Sequence, residues 1–195
     1  MRAYWHGNYW PVIAEASTTP AGPVALAQDA LKDMLADCQA FQDLVDAVDS
    51  AEAAESIHLR GLPGPDNGKR HTKDELQGYR PYAIIFTHRD DGLQAMADAT
   101  SADGFDFSVN GRLGIRLERD AGETNGDDPD SQDNEEWENI IGKIWDELMD
   151  LAGRGGYLAA TDINLVDFNW NPKAEHESMG IYQGAIFTVG WEGGG

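Results

Sequence analysis

The sequence predicts an α+β domain built on a mainly antiparallel sheet of about 4–5 strands, backed by two or three helices. Three observations predict it. Apolar residues recur at three- and four-residue steps from Pro23 and again from Trp137, the signature of amphipathic helices. Apolar runs or two-residue alternations around Ile84, Leu113 and Phe187 have the pattern of strands. At 195 residues, 41% of them hydrophobic, the chain has length and apolar content for one packed core and is short for two.

The elements follow in order. Residues 1–20 hold Tyr4, Trp5, Tyr9 and Trp10 among Gly, Asn, Thr and Pro without a clear period, and are expected to form an extended aromatic arm ahead of a single domain over residues 21–195. From Pro23, the residues Val24, Leu26, Ala27, Ala30, Leu31, Met34 and Leu35 keep helical spacing, with Asp29, Lys32, Asp33 and Asp37 opposite. A break near Cys38 or Gln39 leads into a second short helix through Phe41, Leu44, Val45 and Val48. A further turn over Ser50 to Glu55 precedes a short strand in which Ile57 and Leu59 alternate with His58 and Arg60.

Gly61 to Tyr79, rich in glycine and proline, predicts a long exposed loop. Tyr82 to Phe86 is apolar without alternation, which predicts a strand covered on both faces and central in the sheet. The Asn110-Gly111 pair is a strong hairpin signal. Parity opposes it: a two-residue turn there would set Val109 against Arg112 and Phe105 against Arg116, whereas one strand bent at Gly111 keeps every large apolar residue on a single face. A three-residue loop would preserve that face too; of the two, the bent strand is the expectation preferred.

Ala121 to Asp133 predicts an acidic loop with too few apolar residues for burial. The acidic turn after it suits the positive end of a helix dipole, and Trp137, Ile140, Ile141, Ile144, Leu148 and Leu151 continue as the best helix in the chain, ended by Gly153, Gly155 and Gly156. Two strands follow. In the first, Ile163 and Leu165 differ in parity from Val166, Phe168 and Trp170, implying a bulge near Val166 or burial on both sides. The second alternates from Met179 to Trp191.

Composition narrows the function. Thirty-five Asp and Glu against 14 Lys and Arg give a formal net charge of -21, which repels phosphate backbones and anionic lipid surfaces. Grip on nucleic acid through a basic patch is excluded on that ground. Acidity then solubilises the chain, lines a passage for DNA, or imitates DNA for a basic partner. Cys38 is the single cysteine, so no intrachain disulfide can form and a reducing compartment fits. No apolar run has signal-peptide or membrane-spanning character, and no membrane association is expected.

Catalytic signatures fit poorly. Gly64 to Arg70 resembles a phosphate loop but is one residue short between its glycines and has Arg70 where a magnesium-binding hydroxyl belongs. His6, His58, His71, His88 and His176 show no helical pairing suited to zinc. His88 with Asp90 and Asp91 could serve a small hydrolase, but with so many carboxylates an Asp beside a His is expected by chance. Asp127, Asp128, Asp130 and Asp133 lack the glycine and ligand series of an EF-hand. No enzymatic role, catalytic residue, cofactor or metal is expected.

Taken as a series, several stretches resemble the tail terminator, or tail completion, proteins of long-tailed bacteriophages. They are Gln39-Ala40-Phe41-Gln42, Ala51 to Ala54, Arg80-Pro81-Tyr82-Ala83-Ile84-Ile85, Gly111-Arg112-Leu113, Trp137 to Ile144, and Ala185 to Trp191. The resemblance spans roughly Val24 to Trp191; the aromatic arm and the acidic loop depart from it. It implies a structural virion subunit that forms a ring, a homohexamer, at the head-proximal end of the tail. Its partners would be itself, the tail tube protein and the head-tail connector proteins, with DNA only passing through the lumen, assembly in the host cytoplasm and no cofactor. On such a ring, Glu123, Asp127, Asp128, Asp130 and Asp133 become the candidate lumen or interface acids. The alternative is an acidic DNA-mimic module that occupies a basic DNA-binding protein.

Overall fold

The computed structural model describes residues 23–64, 71–87, 94–98, 106–120, 131–153, 160–169 and 182–194. Helix α1 (Pro23–Ala36) opens on proline, whose missing N–H costs nothing in a first turn. Cys38, extended at φ -73 and ψ 116, separates it from α2 (Gln39–Val45), as the sequence indicates. The chain leaves α2 through Asp46 in the left-handed region. Helix α3 (Ser50–Ala53) is capped by Asp49, whose side chain accepts from Glu52 N–H, and a 3-10 turn (Ala54–Ser56) leads into β1 (Ile57–Leu59). Arg60 and Gly61, both at positive φ, turn the chain away at once and keep β1 to three residues.

The expected long loop up to Tyr79 is shorter than the sequence suggests. Its last part is helix α4 (Lys73–Tyr79), started by a capping box in which Thr72 accepts from Glu75 N–H and Glu75 accepts from Thr72 N–H. Seven residues with a single buried apolar side chain, Leu76, give almost no periodic signal, so the cap is what defines this helix.

Strand β2 (Tyr82–Thr87) follows a cis Arg80–Pro81 bond. Strand β3 (Gln94–Asp98), which hydrophobic pattern does not announce, precedes β4 (Asp106–Asp120). Helix α5 (Ser131–Gly153) then leads to β5 (Ala160–Asn169) and β6 (Tyr182–Gly194).

The six strands form one sheet in the order β1-β2-β4-β6-β5, with β3 paired to the first part of β4 on the edge that β2 takes farther along. Only β1 with β2 is parallel. The fold is α+β with a mixed, mostly antiparallel sheet backed by several helices. One expectation needs correction: β4 is the central strand, and β2 lies next to the short edge strand β1. Fifteen residues let β4 hold two partners on one edge and β6 along the other, so it collects more of the sheet than the apolar run in β2.

Strand β4 is continuous through Asn110-Gly111 and no hairpin forms there; Gly111 has φ +138, which a residue with a Cβ rarely adopts. Odd-numbered residues line its inner face in cross-strand rows. Ile57, Ala83, Leu117 and Ala185 make one row; Ile85, Ile115 and Phe187 the next; Leu113 and Val189 a third. These rows form one core with Leu31, Met34 and Leu35 of α1, Phe41 of α2, and Trp137, Ile141, Ile144 and Leu148 of α5. In β5 a register shift between Leu165 and Asp167 sets Ile163, Leu165 and Phe168 opposite Val189, Phe187 and Ala185. One bulge thus resolves the parity change that the sequence shows at Val166.

Candidate functional site

Among the described residues, three places hold polar and exposed groups that could serve a function. The first lies on the outer face of the sheet, away from the core helices, where even-numbered residues of β2, β4 and β6 stand. Tyr82 and Glu118 are direct cross-strand neighbours, and the Tyr82 hydroxyl donates to Glu118 Oε2 at 2.5 Å. The Arg80 guanidinium donates to the same oxygen from Nε at 3.4 Å and Nη2 at 3.3 Å, and from Nη1 to Asp120 Oδ1 at 3.0 Å. Arg116 pairs with Glu118 Oε1, and the Tyr182 ring lies 4.8 Å below the Arg80 guanidinium.

Four charges therefore alternate along one array, Arg116, Glu118, Arg80 and Asp120, and sum to zero. Glu118 is fully buried, while Arg116 and Asp120 reach water at either end. Both carboxylate oxygens of Glu118 are engaged by cations, which suits a strut between strands better than a general base. Burial, with the hydrogen bond to Glu118, pushes the Tyr82 hydroxyl well above its ordinary range. The sequence does carry a signal for this array: Arg116, Glu118 and Asp120 share one parity of a strand whose other parity is apolar from Leu113 to Leu117.

Edge-to-face contacts extend the array toward β1, with His58 6.2 Å from Tyr82 and 6.0 Å from Tyr79. Burial first, and then the charge of Lys32, lower the pKa of His58.

The second place joins α5 to the start of α2. Glu147 Oε2 accepts from Ala40 N–H at 2.9 Å and from the Cys38 thiol at 3.1 Å. A helix start left without a cap by Cys38 is thus capped from α5. Burial and the adjacent carboxylate push the thiol up to about 12, so Cys38 is a packed donor and not a nucleophile.

The third is a surface. On α5 the core residues Trp137, Ile141, Ile144 and Leu148 form one stripe, and Glu147 lies on the flank that meets α2. At 100° per residue, Glu138, Gly142, Trp145 and Met149 fall on the opposite flank. Trp145 is 40% exposed and Met149 47%. Helix α5 packs over β5, the edge strand at that end of the sheet.

No protein-family model matches the chain, and no curated protein matches it.

Of the candidate acids, Glu123, Asp127, Asp128 and Asp130 lie outside the described residues, as do the aromatic arm and His88, Asp90 and Asp91. Asp133 lies in the first turn of α5, which begins at Ser131, two residues ahead of the expected boundary. Among the described residues no group of three or more His, Cys, Asp or Glu is placed to hold a metal, and no helix is long and apolar enough to cross a membrane.

Proposed function

We propose that the chain is a structural ring subunit of the phage tail terminator kind, which closes the head-proximal end of the tail tube and offers a surface to the head connector. The observation that supports this reading best is the inequality of the two sheet edges. Edge β1 is three residues long and cut off by Arg60 and Gly61, whereas β5 extends for ten residues and, among the described residues, pairs only with β6.

A long edge on one side and a curtailed edge on the other favour head-to-tail contact between unlike surfaces, and such contacts close into rings when the rotation allows. The polar groups add support of a second kind, since buried Arg80 and Glu118, and half-buried Glu147 with the Cys38 thiol, are engaged in internal bonds. Net charge of -21 per copy gives the lumen of such a ring a potential that repels passing DNA.

Placing prolines in β5 tests the reading. Asn164→Pro with Asp167→Pro should remove ring formation while a folded monomer remains by circular dichroism. Rings that persist in that variant would show that β5 is not the contact.

A further inference from the structure

Gly142 occupies the middle of the 23-residue helix α5, the twelfth residue from either end. Glycine is the poorest helix former after proline, so an interior glycine asks for a reason. Packing among the described residues supplies none: a Cβ built at Gly142 meets nothing within 4 Å. The residue stands on the outer flank of the helix, with Trp145 one turn on and Met149 two turns on. Glu135, Glu138 and Asp146, all exposed, border the same strip.

A bare stretch of backbone beside two exposed apolar side chains is a notch, and a ring of carboxylates gives that notch a sign. We propose that the Gly142 notch seats a segment of another protein that carries Lys or Arg around one apolar side chain. The apolar residue lies over Gly142 against Trp145 and Met149, and the cations meet Glu135, Glu138 and Asp146. Charge complementarity selects this occupant, because the strip itself presents the exposed carboxylates of Glu135, Glu138 and Asp146 to an incoming cation. Close approach to the helix backbone needs glycine at this point, which accounts for a residue that the fold itself does not require. The inference stands on the single chain and is independent of any ring.

Selection of a displayed library of random dodecapeptides on the full-length protein tests it. Enriched peptides should place Lys or Arg about one apolar residue, and a synthetic copy of the leading sequence should bind one to one, more weakly as salt rises. Gly142→Leu and the double variant Trp145→Ala/Met149→Ser should each weaken that peptide by at least about tenfold, with Val48→Ser, on an exposed valine outside α5, as the unchanged control. Gly142→Ala supplies a readout that a purely structural glycine would not give: it should raise the thermal midpoint by about 2–4 °C and at the same time weaken the peptide. Failure to enrich basic peptides, or equal binding by Gly142→Leu and the double variant, would overturn the proposal.

Discussion

Glu118 has no contact with water, and two arginines and a tyrosine share its two oxygens. Removing one partner of such an array leaves an uncompensated buried charge, which costs more than the intact array contributes. Glu118→Ala should therefore destabilise the protein by about 3–5 kcal/mol in urea unfolding, because Arg80 stays buried without its main counter-ion. A loss under about 1 kcal/mol would mean that Arg80 finds water instead. Cys38 gives a second test. Its thiol is held protonated up to about 12, against 9.0 for a free thiol. At pH 8 the native thiolate fraction is smaller than the unfolded one by a factor on the order of 10³, and a thiol-disulfide reagent should be slowed by at least that much until urea is added. The sign for stability follows from the raised value: the contribution is complete below pH 9 and is lost as pH rises toward 12.

At the scale of elements, the bond from Glu147 to the start of α2 links two helices far apart in sequence. Glu147→Ala should cost about 1–2 kcal/mol and speed amide exchange at Ala40 and its neighbours, while exchange in β4 changes little. Thermal or urea unfolding read beside hydrogen exchange separates the two effects. Helices α1 and α5 are legible because each buries a full stripe at 3.6-residue spacing. Helix α2 is legible through Phe41, with Leu44 and Val45 half-buried, but it ends at Val45 and leaves Val48 exposed rather than continuing the period. Strand β4 is legible because parity outweighs the local Asn-Gly signal. The bulge in β5 showed for the same reason, as a break in alternation. Helix α4 was not legible, because a capping box starts it and only Leu76 is buried in it. The apolar run in β2 does not imply a central place, because a strand one in from an edge carries such a run too: on its outer face Tyr82 is buried in the array with Arg80 and Glu118, and Ile84 and Phe86 are half-buried. Composition also says nothing of the pairing between Arg80 and Glu118, since charge counts do not give the register that sets Tyr82 against Glu118.

For the whole molecule, the net charge and the sheet edges make opposing demands on assembly. Like charge keeps copies apart at low ionic strength, and the ten-residue strand β5, which among the described residues pairs only with β6, draws a strand toward it. Salt should therefore promote self-association, since screening weakens repulsion over about 10 Å at 0.1 M while leaving backbone pairing intact. A complex with a basic DNA-binding protein, as the DNA-mimic alternative requires, would weaken under the same change. The most direct measurement is sedimentation of the full-length chain over a concentration series at rising salt, joined to negative-stain imaging with and without tail tubes. Closed rings of uniform size, seated at one end of the tubes, are the predicted result; a strictly monomeric particle at the highest concentration, alone and with tubes, would contradict the account.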